Sequence, residues 1–532
     1  MDIATQEKIA FRPDLKLVVA IVSLFTLLGF ALNIELALNR LGVFTLTLDD
    51  AWIHQTYARN LADGHWFTYT GGQASSGSTS PAWTMLLALG YWLGAGPVSW
   101  GLLLGAFFHI LAAVMVYRLS FIYFGHRWLA AWSAILTTLE WHLVWIALSG
   151  METSMFVALT LLTMVLIQTQ WQKAWLMGLA GGLLFLTRPE GALLVAVAGL
   201  KILLEKTSPP DPLSPSISGG EGGRGDEAGQ RVWSKALKPL VFMGLAFLLV
   251  TGPFIGFNTL VSGRPLPGTF YAKFVQWVAP WTISKGLHYF RLLIDYFWLG
   301  GSLFLLFPLA LIGGWLAWRR GLVDLLPAGL WLVGLPAAYT IILPFTYNRG
   351  RYVMPLIPLV IILGAWAAFE FVQGSQFKRL AWTVVALTSL LVFVFWVNGT
   401  RAYVLEVRTI ESQHMMVAEW LRTHTPPDAV IATQDIGVLA YFADRPLIDM
   451  AGLTDPAVVP IMHQPASMAA YIRQHGGDYV VIFPSYYTQL IEDQNLKLVF
   501  VSDKFDFHEL GADPLAVFQF PAGGDTRSAV GD

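Results

Sequence analysis

The sequence predicts a mainly α-helical protein that crosses a membrane many times and ends in a small α/β domain. Of its 532 residues, 55% are hydrophobic and 13% are charged, which is too apolar a composition for a soluble protein. Apolar runs long enough to cross a bilayer recur as far as residue 397, whereas the composition after residue 398 is that of a soluble domain. We therefore expect a membrane domain over residues 1–398 and a C-terminal domain over residues 399–532.

About eleven apolar runs, and at most about thirteen, are expected to form transmembrane helices. They cover residues 17–32, 100–121, 128–148, 155–168, 174–186, 192–204, 240–257, 298–318, 325–343, 353–371 and 380–397. Lys8, Arg12 and Lys16 precede the first run and no small-residue cleavage site follows it, so we expect a retained span. A further run, residues 81–93, is short for a span of about 20 residues and begins with Ser80 and Pro81.

The positive charges predict which loops face the cytoplasm. If residues 81–93 lie along the outer surface, the basic clusters all fall on the side of the N-terminus, as the positive-inside bias requires. These clusters are Arg118/Arg127, Lys173, Lys201/Lys206/Arg231/Lys235/Lys238, Arg319/Arg320 and Lys378/Arg379. We therefore expect a cytoplasmic N-terminus and an extracytoplasmic C-terminal domain. The loops predicted to lie outside are residues 40–98, 149–153, 187–191, 261–287 and 346–352.

Two further segments have a distinct composition. Residues 207–231 are rich in Pro, Ser and Gly, which predicts a disordered cytoplasmic linker. In the C-terminal domain, residues 411–422 have helical periodicity, while residues 429–433, 479–483, 498–501 and 516–520 are typical of short buried strands.

A net charge of -2 leaves no basic surplus for nucleic acid, and the absence of cysteine excludes disulfides and Cys-ligated metals.

An acidic pair, Asp49 and Asp50, follows the first apolar run and opens an amphipathic segment. At the start of a helix beyond the end of a span, such a pair is a candidate catalytic base or metal ligand. Thr47 and Asp50 also have the spacing of a capping box, in which Asp50 would only accept backbone N–H bonds. Both interpretations stand at this point.

Other predicted outer loops carry unusual charges. Arg188 and Glu190 lie at the junction of two short spans, where they either pair with each other or line a wet cavity. Arg349 and Arg351 lie on a face where cations are not expected, and guanidinium groups suit phosphate oxygens. Three further loops carry Glu152, Lys273 and the small-residue stretch 71–81, which is either a sugar or phosphate site or a flexible connector.

These residues carry a resemblance to the GT-C superfamily, multi-span glycosyltransferases that use polyprenyl-phosphate-linked sugars. The chain looks most similar to the prokaryotic branch with the mycobacterial terminal arabinofuranosyltransferases and the aminoarabinose and protein mannosyl transferases. The matching motifs are residues 49–53 with 57–61, 78–83, 149–153, 186–191, 351–355, 435–437 and 449–453. Many relatives carry Tyr where Trp52 stands, and the region of Lys273 matches no family motif.

The resemblance implies a GT-C-type helical bundle and a reaction on the outer face of the membrane. Asp49 would be the general base on an acceptor hydroxyl and Asp50 would assist it. Arg188, Arg349 and Arg351 would contact the lipid phosphate. Together with the outer-loop cation Lys273, which the resemblance does not cover, the predicted substrate-binding set is Glu152, Arg188, Glu190, Arg349, Arg351, Tyr57, Arg59 and Lys273.

Three functions compete on the sequence alone. The first is an inverting transfer of a sugar from a polyprenyl-phosphate donor to a glycan, lipid or protein acceptor. The second is a transporter or flippase, which intramembrane Arg188 and Glu190 would suit, although no inverted repeat is apparent. The third is a membrane scaffold whose C-terminal domain binds partners. Asp49, Asp50 and Glu152 could serve with or without a divalent metal ion.

Overall fold

The computed structural model is mostly helical, with one small sheet in the C-terminal domain. It describes residues 14–70, 72–170, 172–207, 225–278, 282–294, 301–342, 347–374, 376, 378–502 and 513–521. The helices of the membrane domain are α1 (Leu15–Leu41), α2 (Asp49–Ala62), α3 (Pro81–Trp92), α4 (Pro97–Phe124), α5 (Arg127–Leu139), α6 (Trp141–Leu148), α7 (Thr153–Thr169), α8 (Ala174–Thr187), α9 (Ala192–Thr207), α10 (Gly225–Ser262), α11 (Gly268–Val278), α12 (Ile283–Ile294), α13 (Leu306–Arg319), α14 (Leu326–Ile342), the left-handed turn α15 (Tyr347–Gly350), α16 (Ile357–Gly374) and α17 (Lys378–Thr409).

Every predicted apolar run coincides with a helix, and α5 and α6 together form the run at residues 128–148. Among the described residues, six helices are long and apolar enough to cross a membrane, and the pair α5 and α6, bent by 53°, makes a seventh candidate. The shorter apolar helices are α7, α8 and α13. Large apolar side chains face outward on the long helices, such as Leu249 (74% exposed) and Val333 (71% exposed). The chain is therefore a multi-pass membrane protein, while the number of its spans stays a prediction.

Two predicted segments of the membrane domain, the apolar run 298–318 and the linker 207–231, match the structure only in part. The run at residues 298–318 is helical only from Leu306, because a turn with left-handed Gly301 (φ 89°) precedes it, and residues 298–300 lie outside the described residues. The linker predicted at residues 207–231 lies mostly outside them too. Its last seven residues belong to α10, which starts at Gly225 where the proline-rich composition ends.

The C-terminal domain contains a five-stranded sheet in the order β2-β1-β3-β5-β4. Its strands are β1 (Val430–Thr433), β2 (Leu447–Asp449), β3 (Gly477–Ile482), β4 (Lys497–Val501) and β5 (Ala516–Gln519). β1 pairs in parallel with β2 and β3, while β5 is antiparallel to both β3 and β4. Four strands match the sequence prediction, and the three-residue β2 was missed because it is too short to show a periodicity.

Four further helices belong to the C-terminal domain. They are α18 (Met416–His424), α19 (Gly437–Phe442), α20 (Pro465–Gln474) and α21 (Thr488–Asp493). α17 runs past Asn398, the predicted domain boundary, and continues through a π-helical segment (Ile410–Met415) into α18. The domains are therefore joined by a continuous helix and not by a loop.

A second junction forms between α2 and α19. Trp52 of α2 packs against the rings of Tyr441 and Phe442, with centroid distances of 4.8 and 4.7 Å. Arg59 lies over the ring of Tyr441 and donates to its backbone carbonyl (3.2 Å). This aromatic contact fixes the start of α2, and with it Asp49, against the C-terminal domain.

Candidate active site

The carboxylates of the acidic pair do not cap their own helix. α2 begins at Asp49 with Leu48 as its N-cap, and no side chain caps it among the described residues. The hydroxyl of Thr47 has no hydrogen-bond partner among the residues that the structure describes. The capping-box interpretation of Asp50 is therefore wrong, because the helix starts one residue later than a Thr47 cap requires.

Asp49 instead binds the start of α19 in the C-terminal domain. Its Oδ2 accepts a hydrogen bond from the backbone N–H of Gly437 (2.8 Å), and its Oδ1 accepts one from that of Val438 (2.7 Å). The first N–H groups of a helix lack partners within it and favour an anion. A Cβ atom on Gly437 would collide with the backbone carbonyl of Asp49, so this close approach requires glycine.

Asp50 forms an ion pair with Arg351, which donates a hydrogen bond to its Oδ2. Arg351 also donates to the hydroxyl of Tyr352 (3.1 Å), and Lys273 donates to the same hydroxyl (3.3 Å). Burial alone would raise the pKa of Asp50, but the charges of Arg351 and Lys273 hold that pKa well below its usual range. Asp50 is therefore ionised at neutral pH.

The pKa of Asp49 moves in the opposite direction. Burial and the negative charge of Asp435 raise the pKa of Asp49 to about 7, against the opposing effects of His414 and the two backbone N–H groups. A carboxylate with a pKa near neutrality is suited to accept a proton at physiological pH. Two adjacent carboxylates are thus held in environments that drive their pKa values apart, an arrangement that separates a proton acceptor from a permanent anion.

Two cavities meet at the acidic pair. The bundle cavity, about 420 Å³, lies among the helices of the membrane domain. The interdomain cavity, about 860 Å³, lies between the membrane domain and the C-terminal domain. Asp50, Lys273 and Leu453 line both cavities, whereas Asp49 lines the interdomain cavity. Asp50 and Lys273 are therefore accessible from both sides of a shared wall.

The bundle cavity combines an apolar lining with a group of charged side chains. Its apolar residues include Ile53, Met151, Phe185, Leu193, Leu266 and Ile342. Five of the sequence-predicted substrate-binding residues, all of them charged, line it as well: Glu152, Arg188, Glu190, Lys273 and Arg351. The structure thus brings together most of the predicted set in one cavity that suits a molecule with an apolar and an anionic part.

Arg188 is the centre of a hydrogen-bonded network in this cavity. It donates to Glu190 (2.7 Å), to Glu152 (3.1 Å) and to the hydroxyl of Tyr339 (2.9 Å). The other oxygen of Glu152 lies 3.3 Å from Nε2 of His54. Arg188 and Glu190 therefore pair with each other and line a cavity at the same time, so the two interpretations of this loop are compatible.

The small-residue stretch forms part of the wall between the two cavities. Ser76, Ser78 and Ser80 are buried, and Gly77 lines the bundle cavity. A Cβ atom on Gly77 would lie 2.7 Å from the carbonyl oxygen of Leu453. The flexible-connector interpretation is wrong for residues 75–80, because this part of the loop is largely buried and packs against the C-terminal domain through Ser75 and Gly77.

Thr269 fastens a third segment to this wall. It donates hydrogen bonds to the carbonyls of Gly77 (2.6 Å) and Leu453 (3.1 Å). Ser75 donates to the carbonyl of Thr454 (2.9 Å). The loop around Leu453 is shaped in turn by Asp449, which accepts hydrogen bonds from the backbone N–H groups of Ala451 and Thr454 (2.9 and 2.6 Å). Three loops from distant parts of the sequence therefore build one surface.

Three predicted binding residues lie away from the walls of both cavities, as far as the described residues define these walls. Tyr57 is buried and donates to the hydroxyl of Ser75 (2.9 Å) behind the shared wall. Arg59 packs on the C-terminal domain, and Arg349 pairs with Glu406 (2.9 Å). These three residues therefore stabilise the surroundings of the site and do not line either cavity as the described residues define it.

Four residues of the site were not singled out from the sequence: His54, Tyr352, His414 and Asp435. Tyr352 and Asp435 lie in matching motifs, which was a usable signal. His54 and His414 carry none, because a histidine within a helical segment is usually a packing residue.

The described residues contain no group of three or more His, Asp or Glu side chains that could hold a metal ion. The three carboxylates considered from the sequence bind separate partners: Asp49 binds α19, Asp50 binds Arg351, and Glu152 binds Arg188. Binding of a divalent ion stays a prediction, and the described residues contain no preformed set of ligands for it.

The fold and the site define a multi-pass membrane protein with a GT-C fold. ArnT from Cupriavidus metallidurans bound to undecaprenyl phosphate has a TM-score of 0.57 and 15% identity, covering 95% of this chain and 98% of that chain. The apo state of the same ArnT has a TM-score of 0.59 and 16% identity over 94% and 98%. The apo Archaeoglobus fulgidus oligosaccharyltransferase has a TM-score of 0.57 and 12% identity over 94% and 76%. The resemblance to the GT-C superfamily is confirmed at the level of the fold.

A family model described as "Predicted membrane protein (DUF2079)" matches residues 46–449. The chain therefore belongs to this family. A second model, "Domain of unknown function (DUF8728)", matches residues 406–527. Comparison with curated proteins gives no match.

Proposed function

We propose that the protein is a membrane glycosyltransferase that moves a sugar from a polyprenyl-phosphate-linked donor to an acceptor hydroxyl on the outer face of the membrane, with inversion. One observation carries the proposal. Asp50 and Lys273 lie where an apolar, cation-containing cavity meets a second and larger cavity, with Asp49 on the far side of the shared wall. A reaction between two different substrates needs such a meeting point.

The bundle cavity suits the donor. Its apolar lining fits the first isoprene units, and Arg351 and Lys273 converge on the hydroxyl of Tyr352, where they can neutralise a phosphate. The fold likeness to an ArnT bound to undecaprenyl phosphate supports a polyprenyl carrier. Asp50 keeps the guanidinium of Arg351 in place, because it is ionised and paired with it.

The interdomain cavity suits the acceptor. It is lined by polar groups such as Gln434 and Gln489 and by the rings of Phe483, Tyr486 and Tyr487. Amide groups can bind hydroxyls, and aromatic faces can stack on sugar rings. Asp49 lies in this cavity with a pKa of about 7, as a base for an alcohol should.

The reaction then proceeds in one displacement. Asp49 removes the proton of the acceptor hydroxyl while its oxygen attacks the anomeric carbon. The bond between that carbon and the phosphate oxygen breaks, and the electron pair leaves with the polyprenyl phosphate. Arg351 and Lys273 offset the growing negative charge on the leaving group. A single attack from the opposite face inverts the anomeric configuration.

The proposal is tested with the purified full-length protein. Mass spectrometry of lipids that copurify with it should detect polyprenyl phosphates. In vesicles supplied with polyprenyl-phosphate-linked hexoses and pentoses carrying a labelled sugar, we expect label to reach an acceptor and free polyprenyl phosphate to appear. Label that crosses the vesicle membrane without cleavage of the sugar–phosphate bond would favour a transporter or flippase. Failure of cleavage with every donor would contradict the proposal.

A further inference from the structure

His414 has an unusual position in the continuous helix that joins the two domains. It lies in the π-helical segment Ile410–Met415 between α17 and α18. π-Helical insertions are rare and occur frequently at functional sites, because the extra residue redirects side chains. His414 is only 5% exposed, yet it lines the interdomain cavity together with Asp49.

The two ring nitrogens of His414 differ in their partners. Nε2 lies 2.9 Å from Oδ2 of Asp435. Nδ1 has no hydrogen-bond partner among the described residues. Since Asp435 is an acceptor, the hydrogen bond places the proton of a neutral ring on Nε2 and leaves a lone pair on Nδ1. Nδ1 is therefore a buried nitrogen whose lone pair no described residue uses, in a side chain that lines the interdomain cavity.

Asp435 and the contact to Asp49 come from the same short loop. This loop follows β1, carries the side chain of Asp435, and leads into α19, whose Gly437 and Val438 N–H groups bind Asp49. It thus holds Asp49 through its backbone and His414 through its side chain. The loop therefore holds Asp49 and His414 next to Asp435. It lies at the carboxyl end of the parallel strand β1, and α/β domains bind their ligands at this end of their strands.

We propose that the His414–Asp435 pair receives the proton that Asp49 takes from the acceptor and releases it to the water of the interdomain cavity. This inference rests on the proposed function. The acceptor O–H proton moves first to the Asp49 carboxylate and then to Nδ1 of His414, while the Nε2 proton stays donated to Asp435. The imidazolium is neutralised by Asp435 and returns to the neutral ring when water takes the proton. Both residues are positioning residues, since they act through Asp49.

The charges around His414 fit this role. Burial lowers the pKa of His414, but the hydrogen bond to Asp435 and the charge of Asp49 together raise that pKa above its ordinary value. The pKa of Asp49 is raised to about 7 and that of His414 is raised as well, so Asp49 can hold the acceptor proton and His414 can take it up. The other charged or titratable groups that line the cavity are Asp50, Lys273, Glu406, His463, Tyr486 and Tyr487.

Two substitutions should move the pH profile of turnover in opposite directions. On the acid side of the profile the ring of His414 is protonated and its charge lowers the pKa of Asp49, so in His414→Gln the acid limb of kcat should move to higher pH. Above the limb, kcat should fall by about tenfold or more, because the neutral ring that accepts the proton is lost. Asp435→Asn removes a negative charge, so the acid limb should move to lower pH. His424→Gln is the matched control, because His424 is an exposed residue further along the same helix. Charge alone would also shift the limb in opposite directions, so opposite shifts without the loss of kcat in His414→Gln would contradict the relay.

The test separates this inference from the proposed function. The KM for the donor and the affinity for undecaprenyl phosphate should stay unchanged in His414→Gln, because His414 does not line the bundle cavity as the described residues define it. If the wild type transfers sugar and His414→Gln keeps its kcat and pH profile, or raises KM alone, the relay is wrong while the enzyme stands.

A second measurement does not need turnover. In protein labelled at the histidine Cε1 carbon, NMR titration should give a lower pKa for His414 in Asp49→Asn than in the wild type, since the Asp49 charge raises it. An unchanged pKa of His414 would overturn the inference, whether or not a donor has been found.

Discussion

Asp49 and Val438, 389 residues apart in the sequence, are joined by a hydrogen bond of 2.7 Å from the Val438 N–H to Oδ1 of Asp49. The bond connects the first turn of α2 in the membrane domain to the first turn of α19 in the C-terminal domain. The acidic pair is therefore completed by the second domain, and the position of Asp49 depends on a helix that lies outside the bundle.

Gly437→Ala tests this dependence. The added methyl group would collide with the backbone carbonyl of Asp49, so α19 and α2 must separate and the carboxylate must lose its two N–H partners. We expect a fall in kcat of at least about tenfold, with the C-terminal domain still folded by circular dichroism. Gly256→Ala is the control, because a Cβ atom at Gly256 meets nothing within 4 Å. Wild-type turnover in Gly437→Ala would show that this close contact is not required.

Arg351→Gln and Lys273→Gln should each weaken the binding of undecaprenyl phosphate. If the proposed function holds, each variant loses a charge-assisted contact to the phosphate, which predicts an increase in Kd of about tenfold or more. The measurement is tryptophan fluorescence or a thermal shift in detergent with added undecaprenyl phosphate. Arg349→Gln should have a smaller effect, because Arg349 pairs with Glu406 away from the bundle cavity. Equal losses in all three variants would argue against a phosphate site at Arg351 and Lys273.

Glu152→Gln should destabilise the membrane domain. The substitution places an amide where a buried carboxylate accepts from Arg188 and lies 3.3 Å from His54. Arg188 keeps Glu190 and Tyr339 as partners, so we expect a loss of about 1–3 kcal/mol and a lower melting temperature in detergent. Glu419→Gln removes the partner of Arg422 in an exposed pair and should leave the melting temperature unchanged. A similar shift in both variants would contradict the buried network.

Turnover of the wild type should depend on pH through Asp49. The base acts in its ionised form, and burial with Asp435 raises its pKa to about 7, so kcat should fall as the pH is lowered through about 7. Asp50 should not contribute a limb in this range, because the charges of Arg351 and Lys273 keep its pKa far below it. A kcat that is constant between pH 5 and 8, measured in a buffer of fixed ionic strength, would be inconsistent with Asp49 as the base.

The sequence was most informative where local patterns decide the structure. Long hydrophobic runs predicted the membrane helices, and short apolar runs typical of buried strands predicted four of the five strands. Unusual charges on one predicted face pointed to Arg188, Arg351 and Lys273. It could not show which carboxylate faces which partner. The contact of Asp49 with Gly437 and the place of His414 in the cavity depend on the docking of two domains, which leaves no local pattern.

The most direct test of the central claim is a single-turnover assay with Asp49→Asn. Purified protein in nanodiscs is mixed with a polyprenyl-phosphate-linked sugar that the wild type cleaves, and the release of free polyprenyl phosphate is followed by mass spectrometry. Asp63→Asn serves as the matched control, since Asp63 is exposed at the end of the same helix. We predict that Asp49→Asn binds the donor normally but releases no polyprenyl phosphate, while Asp63→Asn behaves as the wild type. Undiminished release in Asp49→Asn would contradict the account.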